Sequence, residues 1–260
     1  MLRALYSSAS GMQSQQLNLD VISNNLANVN TTGFKMSKLQ FQDMLYETTK
    51  EAGSQQGGGN QLPASLQVGQ GAAPAATTRL FTQGEMSKTG NNFDLAIQGN
   101  GFFQVLMPDG ALGFTRDGGF KPDSQGRLVT NDGYQVQGGF QPVPAGTTSI
   151  TITASGDVTY KTPGGDTSFK VQTARFVNPG GLDAMGHNIY KQTEASGTPE
   201  LGTPGENGFG ELQQGYLELS NVSVVQEMVN LILAQRAYEV NSKAVQAADQ
   251  MMQQSNNLQR

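Results

Sequence analysis

The one histidine of the chain, His187, stands in the turn-like stretch Met185-Gly186-His187-Asn188. With no cysteine among 260 residues, one imidazole cannot complete a zinc site, and no His-Glu-x-x-His pair exists to begin one. Nucleophilic chemistry finds no footing either. There is no Gly-x-Ser-x-Gly elbow, and no lysine stands three residues after a serine. No glycine precedes a lysine, which removes the phosphate-cradling loop. Gly99-Asn100-Gly101 follows an apolar run but lacks a third glycine at the required spacing, so it reads as a bulge or tight turn. Asp94, Asp109, Asp117, Asp123, Asp132 and Asp157 lie beside glycines or in turns. Two of them facing across a cleft could cleave a glycosidic bond, but aspartates in this setting ordinarily accept backbone N–H groups. None has the spacing of a calcium loop. The expectation is a chain with no catalytic residues, no metal ligands and no cofactor.

What the residues do specify is repetition at the two ends. Leu5, Met12, Leu19 and Leu26 recur every seven positions, with Ile22 and Val29 alongside. Val224, Leu231, Tyr238, Val245 and Met252 do the same, with Ala234 and Ala248 as small partners. Each set predicts a helix with a narrow apolar stripe that another helix must cover. The first helix is expected over 1–30 and is closed by Thr31-Thr32-Gly33, where Gly33 can turn left-handed. The second is expected over 221–256, with Ser220 or Asn221 as N-cap and Glu227 early enough to suit the helix dipole. Such a helix is about 50 Å long, more than a domain of this size can cover. The stripes are therefore expected to be buried partly by other copies. A head-to-tail contact of that kind need not close on itself and generates helical filaments.

Between the ends the signals are those of short strands. Leu95 and Ile97 alternate with Ala96 and Gln98. Phe102-Phe103-Gln104-Val105-Leu106 then runs into the turn Pro108-Asp109-Gly110. Asn131-Asp132-Gly133, Ser155-Gly156-Asp157 and Pro163-Gly164-Gly165-Asp166 mark further reversals. Residues 34–46 fit either a short helix or a strand. Residues 47–78 are rich in Gly, Gln and Pro, and on composition alone they read as a flexible loop or extended arm. The fold class expected is α+β. The terminal helices pair as a coiled-coil-like domain (1–33 with 221–260), an arm or linker occupies 34–78, and an antiparallel β-rich domain occupies 79–220.

Composition narrows the partners. Net charge is −5, and the 16 basic residues are scattered, so no concentrated basic face exists for nucleic acid. Charged residues are only 14%, and the first 34 positions hold just Arg3 and Asp20. Mean hydropathy is −0.40, low for a single compact globule. A surface so poor in charge repels its own copies weakly. The longest useful apolar run, Leu231-Ile232-Leu233-Ala234, is far short of the roughly 20 residues of a membrane span, so no direct membrane insertion is expected. The start, Met1-Leu2-Arg3 followed by a polar-interrupted seam, does not read as a cleaved signal peptide.

Five blocks carry a family resemblance. Leu19-Asp20-Val21-Ile22-Ser23-Asn24-Asn25-Leu26-Ala27-Asn28-Val29-Asn30-Thr31-Thr32-Gly33-Phe34-Lys35 resembles the N-terminal signature of the bacterial flagellar rod and hook proteins, with Asn24, Asn25, Ala27, Asn28, Thr32, Gly33 and Phe34 as motif residues. Ile97 to Phe103, Phe114 to Phe120, Gly215 to Val222 and Gln235 to Ala244 continue the likeness in order along nearly the whole chain. Length, the Arg236–Lys243 segment and an insertion at 47–71 resemble the distal rod members; a hook or proximal rod subunit is the alternative. The resemblance implies paired end helices that form an inner tube around an export channel, an outward β domain, and an arm at 47–71 that stiffens a straight tube. It implies delivery by the flagellar type III export apparatus and residence in the basal-body rod across the periplasm. The partners it implies are further copies, proximal rod proteins, the hook protein, and the P-ring and L-ring proteins. The assembly interface would be Leu5, Met12, Leu19, Ile22, Leu26 and Val29 against Val224, Leu231, Tyr238, Val245 and Met252.

Overall fold

The computed structural model describes residues 2–52, 55–56, 60–61 and 63–258. It has two long helices, α1 (Leu2–Ala27) and α2 (Val224–Leu258), with strands between them. The chain divides into two compact units. One comprises Met1–Leu26, Ser37–Thr78 and Val224–Arg260; the other comprises Ala27–Met36 and Arg79–Ser223.

The first unit holds both helices and an antiparallel β ribbon. The ribbon pairs Ser37–Asp43 with Ala72–Arg79, then Tyr46–Lys50 with Leu66–Gly69, and finally Gln55–Gln56 with Asn60–Gln61. The ambiguous stretch at 34–46 is thus strand from Ser37. The Gly- and Gln-rich stretch is largely ribbon, because a two-stranded ladder is held by backbone N–H and C=O groups and tolerates side chains that bury little. Gly53, Ser54, Gly57–Gly59 and Leu62 of that stretch lie outside the described residues.

A two-stranded ribbon is marginal alone in water, and several contacts tie this one to α1. Ser14 Oγ donates to Ala72 O at 3.2 Å, and Arg3 pairs with Glu47. Asn25 accepts from Ser37 N through Oδ1 at 2.9 Å and donates to Ser37 O through Nδ2 at 2.8 Å. Gly71, at φ +118°, sits where a Cβ would strike Ser10 Oγ.

The second unit is the β-rich body. Its largest sheet has seven strands in the order Lys121–Pro122, Leu128–Val129, Gln135–Val136, Phe103–Leu106, Leu112–Thr115, Ile189–Lys191, Asp183–Gly186, all antiparallel. A three-stranded sheet joins Ser149–Ile152, Asp157–Thr162 and Gly165–Lys170. The expected turns are where the strands reverse. Gly110, Gly133 and Gly156 are left-handed there, and Met107 and Thr130 close their loops by accepting from Gly110 N and Gly133 N.

Strand alternation splits the aromatic residues between two cores. Phe103 packs with Leu95, Ile97, Phe120, Val136, Val158, Tyr160 and Leu212. Its neighbour Phe102 packs with Phe114, Ala174, Phe176, Leu182 and Tyr190. Phe103 meets Phe120 edge-on at 5.1 Å, and Phe114 meets Phe176 at 4.8 Å.

Candidate assembly site

Two contacts align the helices within their unit. Asn25 Nδ2 donates to Glu227 Oε2 at 3.1 Å, with both side chains buried. Gly11 lies so close to α2 that a Cβ there would come within 2.8 Å of Asn241 Nδ2. Fourteen residues separate Gly11 from Asn25, and fourteen separate Asn241 from Glu227, in the opposite sense. The helices therefore run antiparallel with one register over four turns.

The buried line of α2 follows the heptad. Glu227, Ala234 and Ala248 are buried, and Val224, Leu231, Val245 and Met252 are half-buried. Tyr238, expected on the same line, is exposed at 40%. On α1, Gly11 and Asn25 meet α2, Ile22 is buried, and Leu5, Met12, Leu19 and Leu26 are half-buried. A glycine in the line lets the backbones come close. Asn25 satisfies a buried carboxylate that Asn230 also serves at 3.0 Å. Asn24 lines a groove on α1, and Ala27 is exposed.

Apolar surface remains bare on the same unit. On α2, Val225, Met228, Val229, Ile232, Leu233 and Val240 are all exposed, Val225 to 74%. On the ribbon, Phe41, Met44, Leu45, Tyr46 and Leu66 are exposed, Leu45 to 84%. Contiguous exposure of this kind marks interaction surface. The seven-residue pattern missed these residues. Their signal is the second apolar stripe of α2, at Val225, Val229, Ile232 and Val240.

The second unit shows what the motif residues hold. Thr32 Oγ1 donates to Asp117 Oδ1 at 3.0 Å, and Asn188 Nδ2 donates to Thr32 O at 2.8 Å. Gly33 is left-handed, at φ +69°, and packs so tightly that a Cβ would fall 2.5 Å from Asp117 N. Gly33 N donates to Glu218 O at 2.8 Å. Phe34 is buried under the Arg79 guanidinium, which also lies over Tyr190. Upstream, Asn28 accepts from Thr31 through both its carbonyl and its side chain, and Val29 is half-buried.

Beneath this lies a buried ionic cluster. Lys35 Nζ donates to Glu218 Oε1 at 2.5 Å and to Thr82 O at 2.7 Å. Arg116 Nη1 reaches Glu218 Oε2 at 3.5 Å, and Gly84 N donates to Oε1 at 2.9 Å. Burial lowers the Lys35 pKa, and the adjacent Glu218 carboxylate opposes that shift. A buried pair of this sort specifies geometry more than it adds stability. It fixes the segment at Lys35 to the strand at Glu218, 183 residues away. Asn221 completes the fastening: its Oδ1 accepts from Met36 N at 2.7 Å and its Nδ2 donates to Leu80 O at 2.8 Å. Asn221 is thus not the N-cap of α2, which begins at Val224. Lys35, Arg116, Glu218 and Asn221 stand in the resemblance blocks, but nothing in their spacing revealed the cluster.

The residues first considered for chemistry are occupied in turns. Asp109 accepts from Ala111 N, Asp123 from Gln125 N and Arg127 N, and Asp94 from Thr89 and Asn91. His187 is an exposed left-handed turn residue, 4.0 Å from Asp132. Among the described residues no group of three His, Cys, Asp or Glu could hold a metal ion, and no helix is long and apolar enough to cross a membrane.

Comparison with known proteins gives the arrangement its context. Residues 5–35 match the family described as flagella basal body rod protein. Residues 96–160 match the flagellar hook protein FlgE/F/G D1 domain, and residues 213–258 match the flagellar basal body rod FlgEFG protein C-terminal family. The chain is 48% identical to the flagellar basal-body rod protein FlgG of Borreliella burgdorferi, with all of both chains covered. It is 48% identical to the protein of that name from Caulobacter vibrioides, with 99% of each covered. The flagellar hook protein FlgE of Helicobacter mustelae is 50% identical over 53% of this chain but only 31% of its own length.

Proposed function

The chain belongs to the family of flagellar basal-body rod proteins, and on that footing we propose how it serves as a distal subunit of the rod. It is a structural protein of the basal body, placed in the rod that spans the periplasm. The end-to-end match with rod relatives, against partial coverage of the hook protein, favours the rod over the hook. The observation that carries the mechanism is the bare apolar surface of α2 and the ribbon, which none of the described residues of the same unit covers. Copies associate head-to-tail through it into a straight helical tube around the export channel, and the tube transmits torque to the hook.

In this reading α1 and α2 pair as an antiparallel coiled coil. Leu5, Met12, Leu19, Ile22, Leu26 and Val29 meet Val224, Leu231, Tyr238, Val245 and Met252 within and between copies. Residues 1–33 with 221–260 form the tube, 34–78 form the arm that stiffens it, and 79–220 form the outer domain. The proximal rod lies below, the hook protein above, and the P-ring and L-ring proteins around it. The subunit arrives through the type III export apparatus.

Leu19→Asp tests the mechanism. The variant is expected to keep a folded β body, seen as an unchanged β signal, and to be absent from isolated basal bodies. Normal incorporation of the variant contradicts the proposal.

A further inference from the structure

A groove of about 420 Å³ runs along α1 in the first unit. Leu17, Asp20, Val21 and Asn24 form its helical wall, and Leu39 with the small residues Pro74, Ala75 and Ala76 forms its ribbon wall. The far side of α2 carries a matching ridge. Val225, Val229, Ile232, Arg236 and Val240 are spaced by three or four residues and share one face. Arg236 is two residues out of step with the buried Ala234, which places that face away from α1. The four apolar members of the ridge are exposed by 45–74%.

Charge distinguishes this pairing from other burials of the ridge. Asp20 is the sole acidic residue of α1, and Arg236 is the basic residue within the apolar stretch of the ridge, with Lys243 following it on the same face. Asp20 has no ion pair among the described residues. Among the described residues Arg236 pairs only with Glu239 one turn on, and both side chains are largely exposed. An exposed pair of that kind contributes little to stability, so exchanging it costs little.

We infer that the ridge of one copy seats in the α1 groove of the next, with Arg236 of the first paired to Asp20 of the second. The contact rests on the rod-subunit reading and names its complementary surfaces. Groove and ridge are different patches of one unit, so the contact is heterologous and propagates instead of closing.

Charge reversal in source cells tests it. Asp20→Arg and Arg236→Asp are made singly and together, with a deletion strain as control, and complete rods are counted in isolated basal bodies. Each single reversal is expected to lower the count at least tenfold, and the double reversal to restore at least half of it. Singles that assemble normally, or a double no better than the worse single, overturn the pairing. Mutual rescue also separates a broken contact from a misfolded chain, since two folding defects do not repair each other. Complete rods in the deletion strain overturn the rod reading instead.

Discussion

Asn25 on α1 and Glu227 on α2 meet at 3.1 Å, both buried, although 202 residues separate them in sequence. The same Asn25 side chain closes a two-way bond with the backbone of Ser37. One amide therefore sets the order of three pieces: the first helix, the last helix and the start of the ribbon.

Asn25→Ala leaves the Glu227 carboxylate with Asn230 alone and leaves Ser37 N unpaired. A buried polar group without its partner costs about 1–3 kcal/mol. The denaturant midpoint of the full chain, followed by its helical signal, is expected to fall accordingly. Asn25→Ala combined with Glu227→Ala is expected to cost less than the sum of the two singles, because the carboxylate left stranded is gone.

Gly11→Leu drives a side chain into Asn241 and pushes the two helices apart at that point. Overpacking of this kind costs roughly 1–3 kcal/mol. Far-UV circular dichroism on heating is expected to show early loss of helix, and Asn241→Ala in the same chain is expected to recover part of it.

Glu218→Ala strands Lys35 and Arg116 as two buried cations. Removing one partner of a buried pair costs about 3–5 kcal/mol, so the β body is expected to unfold at much lower denaturant. Lys35→Met is expected to be milder, because Glu218 keeps Arg116 and Gly84 N. Equal losses from the two substitutions would contradict the assigned cluster.

Tyr160 is buried in the larger core, its hydroxyl donates to Gln141 O, and burial pushes its pKa up to about 12. The folded protein keeps this proton where the unfolded chain, titrating near 10, has lost it. Stability from Tyr160 is therefore intact below pH 10 and falls as pH rises from 10 towards 12, by roughly 2–3 kcal/mol over that span. The difference in unfolding free energy between the parent and Tyr160→Phe is expected to change with this slope, and a flat difference would contradict it.

Much of this was legible in the chain, for physical reasons that differ by element. The turns at Gly110 and Gly133 were readable because a left-handed residue in a hairpin strongly selects glycine. The line through Leu231, Ala234, Val245 and Ala248 was readable because one helix face on α2 carries apolar residues in step. On α1 the contacts of Gly11 and Asn25 with α2 were not readable, because neither residue carries an apolar signal in the heptad. The ribbon was obscured because its backbone ladder needs nothing distinctive of the side chains along it. Lys35, Arg116 and Glu218 are brought together only by the tertiary fold, and local periodicity holds no trace of a pair 183 residues apart.

Electron microscopy of basal bodies from cells lacking the chain decides whether it is a distal building unit of the flagellar rod. Rods truncated at their proximal part and bearing no hook are expected. A complete rod missing only its hook, or intact flagella, would contradict that role.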